Sequence, residues 1–185
     1  MRELADNVLD IAQNSIAAQA RLIQIRVIAD VQTDRLTLEI ADDGKGMSPE
    51  LLARVTDPFT TTRTTRKVGL GLPLLKMTAS MTGGDFSIDS TLGKGTTVRA
   101  SFGLTHIDRP PMGDLAGTLF SLVLLNEQID FVIECVCNDD TFQVDTREIK
   151  KTVAPLPLSN PDVSAWLKEY LEESIYALYG GVLVL

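Results

Sequence analysis

An α/β fold is predicted for this 185-residue chain by three observations. The sequence opens on a stretch with helical apolar spacing. Two segments of strict alternation follow, separated by a short turn. After an aperiodic loop, a second helix leads into a second alternating pair.

In the first element, Leu4, Val8, Ile11, Ala12 and Ser15 recur at helical spacing, and no Gly or Pro interrupts residues 3–20. Residues 22–30 then set Ile23, Ile25, Val27 and Ala29 against Gln24, Arg26 and Ile28. A turn at Gln32-Thr33-Asp34 leads to Leu36, Leu38 and Ile40 opposed to Arg35, Thr37 and Glu39, which completes an antiparallel hairpin. In "SPELLARV", Ser48 is an N-cap with Pro49 at the first helical position, so a short helix starts there. Residues 57–68, "DPFTTTRTTRKV", have neither period and read as a loop. A helix from about Gly71 to Thr82 stops at Gly83-Gly84, and residues 85–91 and 96–103 form a second hairpin around "LGKG".

"HIDRPPMGD" is the linker candidate, because Pro110-Pro111 continues neither a helix nor a ladder. This divides the chain into residues 1–105, a linker at 106–113, and an αββα extension over 114–185. In the extension, an apolar helix at 114–125 precedes strands near 129–137 and 141–149. After a Pro-bearing loop at 154–161, Asn160, Pro161 and Asp162 start a helix that runs to about 179, with Val163, Trp166, Leu167, Tyr170 and Leu171 giving its apolar face.

Composition narrows the function. An apolar fraction of 44% is that of a folded globular chain. The net charge of -8 argues against nucleic acid or an anionic membrane as partner, since both attract basic surfaces. No run of ~18 apolar residues occurs that would span a bilayer. "MRELADNVLD" carries acids where a secretory leader has an uncharged core, so a cytoplasmic location is expected. Cys135 and Cys137 stand in a C-x-C pair with no second pair, and the one histidine, His106, is distant in sequence. They read as two small buried hydrophobes of a reducing compartment.

Four stretches carry residues suited to chemistry. Asp10 and Asn14 are i, i+4 neighbours on one helix face. Magnesium takes oxygen ligands and keeps several waters, so a carboxamide oxygen plus phosphate oxygens suffices to hold it, and a carboxylate one turn earlier can orient or deprotonate an attacking group. A solvated polar stripe, extended by Glu3 and Asn7, explains the same pair. In "ADDGKGM", a carboxylate at a strand end is followed by Gly44 and Gly46. Glycine lets a flat base approach the backbone, and the carboxylate accepts from an exocyclic amine; "DDG" is equally a common turn. In "KVGLGLPLLK", Gly69 and Gly71 lead into free helix-start amides, with Arg63, Arg66 and Lys67 just before them, a combination suited to phosphate. "LGKGTTV", alone, is only a hairpin turn with hydroxyls at Thr96 and Thr97.

Taken together and in this order, these stretches resemble the ATP-binding domain shared by DNA gyrase, the ninety-kilodalton heat-shock chaperone, sensor histidine kinases and the mismatch-repair ATPase, the GHKL superfamily. The resemblance covers residues 3–103, and "DPFTTTR" is closest in wording to the sensor-kinase branch. It implies a two-layer sandwich, a mixed β-sheet covered on one face by helices, with ATP between helices and lid. It further implies Asp10 as the catalytic base and Asn14 as the ligand of Mg²⁺. Asp42, with a water shared by Thr96, would read adenine. The remaining nucleotide-binding positions are Gly44, Gly46, Met47, Phe59, Thr61, Arg63, Arg66, Lys67, Gly69, Leu70, Gly71, Leu72 and Gly95, with Gly93 in the last box.

Glu3 and Asn7 fit the base-x-x-x-Asn pattern as well. The family's helix ends within two turns of the Asn and enters the first strand, which "NSIAAQARLIQIRV" does from Asn14 and not from Asn7. Asp10 is one methylene shorter than the Glu of the hydrolysing members. His106 sits beside the linker rather than on a helix, so self-phosphorylation is not expected. The first functional expectation is a stand-alone kinase module that passes the γ-phosphate of ATP to a partner protein. The alternatives are an ATPase switch that homodimerises on ATP and a nucleotide-sensing adaptor without turnover.

Overall fold

The computed structural model describes residues 3–56 and 71–183. In chain order the described elements are α1 (Leu4–Ala17), β1 (Leu22–Asp30), β2 (Arg35–Asp42), α2 (Pro49–Leu52), α3 (Gly71–Met81), β3 (Phe86–Thr91) and β4 (Gly95–Gly103). After them come α4 (Leu115–Leu125), β5 (Asp130–Cys137), β6 (Asp140–Asp145), α5 (Thr146–Val153) and α6 (Pro161–Tyr179). The strands form one sheet in the order β3-β4-β2-β1-β5-β6. β1 and β5 pair in parallel and the other neighbours antiparallel, so the sheet is mixed.

Alternation sorts the sheet into two faces. On one face, Ile133 of β5, Ile25 of β1, Ile40 of β2 and Val98 of β4 lie in register. The next row is Cys135, Val27, Leu38 and Ala100. All eight are buried, and α1, α3 and α6 pack on the sheet, with α4 set between α1 and α6. The other face is polar. Glu134, Arg26, Glu39 and Arg99 stand directly opposite one another across β5, β1, β2 and β4. Arg26 Nε donates to Glu134 at 2.5 Å and its Nη1 to Glu39 at 3.2 Å, and these two hydrogen bonds raise its pKa despite some burial. Each side chain in this row is part-exposed, so the row sets register more than it adds stability. The result is the two-layer α/β sandwich that the sequence predicts.

Both ends of α1 are held by distant backbone. Its first free amides, on Leu4 and Ala5, donate to the carbonyls of Pro111 and Met112 at 2.9 and 2.8 Å. The proline-rich connection thus satisfies two of the four orphan donors that a helix start presents. At the other end the helix stops at Ala17, short of the predicted residue 20, because Gln19 turns to a φ of 61°. The Ala18 carbonyl then accepts from Lys45 at 2.9 Å.

The strand predicted over 141–149 is shorter than expected. β6 ends at Asp145, whose carboxylate accepts from the Arg147 amide at 2.9 Å and caps α5. A local cap decides here where apolar alternation gives out after Val144. Cys135 and Cys137 lie on the buried face of β5, and burial pushes the Cys135 thiol up to about 11.

Tyr179, the last residue of α6, donates its phenol to the Val27 carbonyl at 2.7 Å, and burial raises its pKa strongly. Tyr179→Phe keeps the ring and removes this tie between α6 and the central strand. A urea melt should show a loss of roughly 1 kcal/mol at unchanged m-value.

Candidate nucleotide-binding site

Three of the predicted stretches meet at one end of the sheet. Asp42 is the last residue of β2 and lies opposite Thr96, the second residue of β4. Its Oδ1 accepts from the Gly44 amide at 2.9 Å, and its Oδ2 accepts from the Ser15 hydroxyl of α1 at 2.6 Å. The short O–H···O⁻ distance marks a charge-assisted bond. Two donors leave acceptor capacity on a carboxylate that has about four lone-pair directions. The next residue, Asp43, accepts from the amides of Arg21 and Leu22 at 2.7 and 2.9 Å and so locks the loop to the start of β1.

The glycines here are required by close backbone approach. A Cβ on Gly44 would stand 2.8 Å from the Ala18 carbonyl oxygen and 2.9 Å from Asp42 Oδ1, so it would displace the carboxylate itself. Gly46 has a φ of +62°, and a Cβ there would fall 2.0 Å from the Thr91 oxygen. Gly95 has a φ of +113°, and its Cβ would fall 1.8 Å from the Asp42 oxygen. These loops are further tied by the Gly93 amide donating to the Lys45 carbonyl at 2.7 Å.

Ser90 joins the third stretch to the second. Its Oγ accepts from the Met47 amide at 2.9 Å, bonds the Gly95 carbonyl at 3.0 Å and lies 2.9 Å from Thr96 Oγ1. When Ser90 gives its hydrogen to Gly95, Thr96 donates to Ser90, and the Thr96 oxygen keeps its lone pairs as an acceptor. Ser15 and Ser90 were not singled out from sequence. The signal for Ser15 was a hydroxyl on an otherwise apolar helix stripe; for Ser90 no local signal exists.

Asp10 and Asn14 lie one turn apart on α1, Asp10 half-buried and Asn14 exposed, the latter adjacent in sequence to Ser15. The competing Asn7 is buried, and its Nδ2 donates to the Glu3 carbonyl at 3.3 Å. Gly71 and Leu72 are the first two residues of α3, a helix that packs on α1 and β4. Phe59, Thr61, Arg63, Arg66, Lys67, Gly69 and Leu70 lie outside the described residues. At the Asp42 end, an anchored carboxylate, a hydroxyl and a wall of backbone without side chains fit a flat heterocycle carrying an exocyclic amine.

The chain is similar in sequence to parts of longer known proteins. "Histidine protein kinase DivJ" of Caulobacter vibrioides is 37% identical over 101 residues, which cover 52% of this chain and 17% of that protein. "C4-dicarboxylate transport sensor protein DctB" of Pseudomonas aeruginosa is 34% identical over 100 residues, covering 54% of this chain and 16% of that protein. The chain thus spans about a sixth of the length of these relatives. The solved structure described as the N-terminal domain of a DNA repair protein superposes with a TM-score of 0.51 at 19% identity. It covers 78% of this chain and 52% of that one, and it shares the fold. The family of histidine kinase-, DNA gyrase B-, and HSP90-like ATPases matches residues 1–106, the region that contains α1, the Asp42 loop and the β3–β4 turn. With that match extending over more than half of its length, the chain belongs to this ATPase family.

Proposed function

We propose that this protein binds ATP with Mg²⁺ at the Asp42 site and transfers the γ-phosphate to a partner protein. The observation that carries the reading is the Asp42 carboxylate, oriented by Ser15 and Gly44 against glycine-walled backbone. The two relatives named as a histidine protein kinase and a transport sensor protein support a kinase over a pure ATPase. On this reading residues 1–105 hold the nucleotide, 106–113 connect, and 114–185 form an extension.

Each residue then has a stated task. Asp42 accepts from the adenine amine, and the Ser90–Thr96 hydroxyl pair holds the water beside it. Asn14 offers its carboxamide oxygen to the metal, and Asp10 takes the proton of the attacking group. Phosphate contacts are assigned to Arg63, Arg66 or Lys67 and to the stretch Gly69–Gly71, by their likeness to the family's boxes. Bound MgATP supplies an electrophilic phosphorus with its oxygen charge partly neutralised.

The test is incubation with γ-labelled ATP in lysate, followed by identification of any labelled protein. Transfer of label to a protein other than this one is the expected result. ATP-dependent dimerisation with steady phosphate release would replace it with an ATPase switch, and tight binding with neither would leave a nucleotide sensor. The metal assignment has its own check by calorimetry. Asn14→Ala should remove the magnesium dependence of ATP affinity. Asn7→Ala should cost roughly 1 kcal/mol of stability and leave that dependence in place. The reverse pattern would transfer the metal role to Asn7.

A further inference from the structure

The outer side of α6 carries a stripe that the nucleotide site does not use. Val163, Leu167, Leu171 and Ile175 are buried against the sheet side, whereas Asp162, Trp166, Glu169, Tyr170 and Glu173 form an exposed row at helical spacing. Such a row in a globular protein is ordinarily polar throughout. Here two large aromatic rings stand in it, Trp166 with 46% and Tyr170 with 38% of its surface exposed.

The rings are ordered. Phe142, on β6 at the outer edge of the sheet, meets Tyr170 edge-on at 5.4 Å. Tyr170 in turn stacks on Trp166 at 5.2 Å with 9° between the planes. The stack occupies one side of the indole and holds it in place, so the entropy of fixing it is already spent before any partner arrives. On the same exposed row of α6 stand the carboxylates of Asp162, Glu169 and Glu173, and the nearby Lys168 is engaged by Glu172 at 3.8 Å.

This combination selects its occupant. A second copy placed face to face by a two-fold axis would set these acids against themselves, in a chain that already carries a net charge of -8. A cationic group is matched twice, electrostatically by the acids and through its planar face by the indole. Guanidinium does both better than ammonium, since it stacks and also forks onto carboxylates. We infer that the Trp166–Tyr170 face of α6 is a docking surface for an arginine-bearing cationic segment of a protein partner. This surface is separate from the nucleotide site, and its use does not depend on the ATP reading.

Trp166 is the one tryptophan of the chain, so its fluorescence reports on this face alone. Nona-arginine and nona-lysine are titrated into the full chain at about 150 mM salt, where long-range attraction is screened. The expected result is a saturable change in emission with nona-arginine at several-fold higher affinity than nona-lysine. Glu169→Gln with Glu173→Gln should weaken it about tenfold, as two lost exposed charge pairs imply. Asp85→Asn with Asp89→Asn, which removes the same charge near and on β3 at the far edge of the sheet, should leave affinity within about twofold. Asp42→Asn should bind the peptide as the parent does. Equal weakening by the two double variants, equal affinity for the two peptides, or no saturable change would each overturn the assignment. So would a concentration-dependent dimer in sedimentation that Trp166→Ala abolishes.

Discussion

Asp42→Asn should abolish the rise in melting temperature that ATP gives the parent protein. At a hundredfold excess over Kd, a ligand bound only by the native state adds about 2.7 kcal/mol, roughly 5–10 °C for a chain of this size. The variant should lose essentially all of it in a thermal-shift titration. The reason lies in the two donors that Asp42 already serves. The Gly44 amide can only donate, so the one remaining oxygen of an asparagine must face it at the present 2.9 Å. The new NH₂ group then points to the Ser15 side, where it presents donors to an incoming amine. Ser15 can still give its hydrogen to the Ile11 carbonyl, now 3.4 Å away, so the unliganded protein should lose only about 1 kcal/mol. An unchanged ATP shift in this variant would refute the adenine assignment while leaving the family membership intact.

Gly95→Ala should be the most destabilising small change in the site. Its Cβ would fall 1.8 Å from the Asp42 carbonyl oxygen and 2.8 Å from the carbonyl carbon, at a φ of +113°. Neither neighbour is the end of a flexible side chain; both are backbone of the β2–β4 ladder at the Asp42–Thr96 pair. Relief requires the two strands to part where the site is built. Backbone strain and overpacking together set a loss of roughly 3–5 kcal/mol, read as a fall in the urea midpoint. Gly93, two residues earlier, is the control. It also has a positive φ, +77°, but nothing lies within 4 Å of its Cβ position, so Gly93→Ala should cost only about 1 kcal/mol. Equal losses at the two positions would mean that strain alone, and not the close approach to Asp42, explains the glycine.

These two predictions also show what kind of information each level holds. That Asp42, Gly44 and Gly46 form one feature is legible in seven residues, because a strand end, a carboxylate and two closely spaced glycines all leave local marks. Why Gly95 must be glycine is not legible there. The residue it approaches is Asp42, on another strand, and a turn with two glycines looks the same whether or not a neighbour touches it. Ser15 and Ser90 make the same point. Each contributes a hydrogen bond that holds the site; Ser15 shows locally only as a hydroxyl on an apolar helix stripe, and Ser90, within an alternating run, has no local mark at all.

By itself the sequence determined most helix and strand periods and the order of the glycine-rich stretches, because side-chain period and φ preference act within a few residues. It did not separate the exposed Trp166 and Tyr170 from the buried face of α6, nor mark α5 at Thr146–Val153. Only the tertiary structure decided that β5 joins β1 in parallel and carries the sheet across the proline-rich connection. It also decided that Pro111 and Met112 cap the start of α1, and that Lys45 closes its other end. Those choices are made between segments 27 to 108 residues apart, from Ala18–Lys45 to Leu22–Asp130. An unpaired strand edge or an orphan helix amide states only that a partner is needed, and packing of the whole chain selects which one.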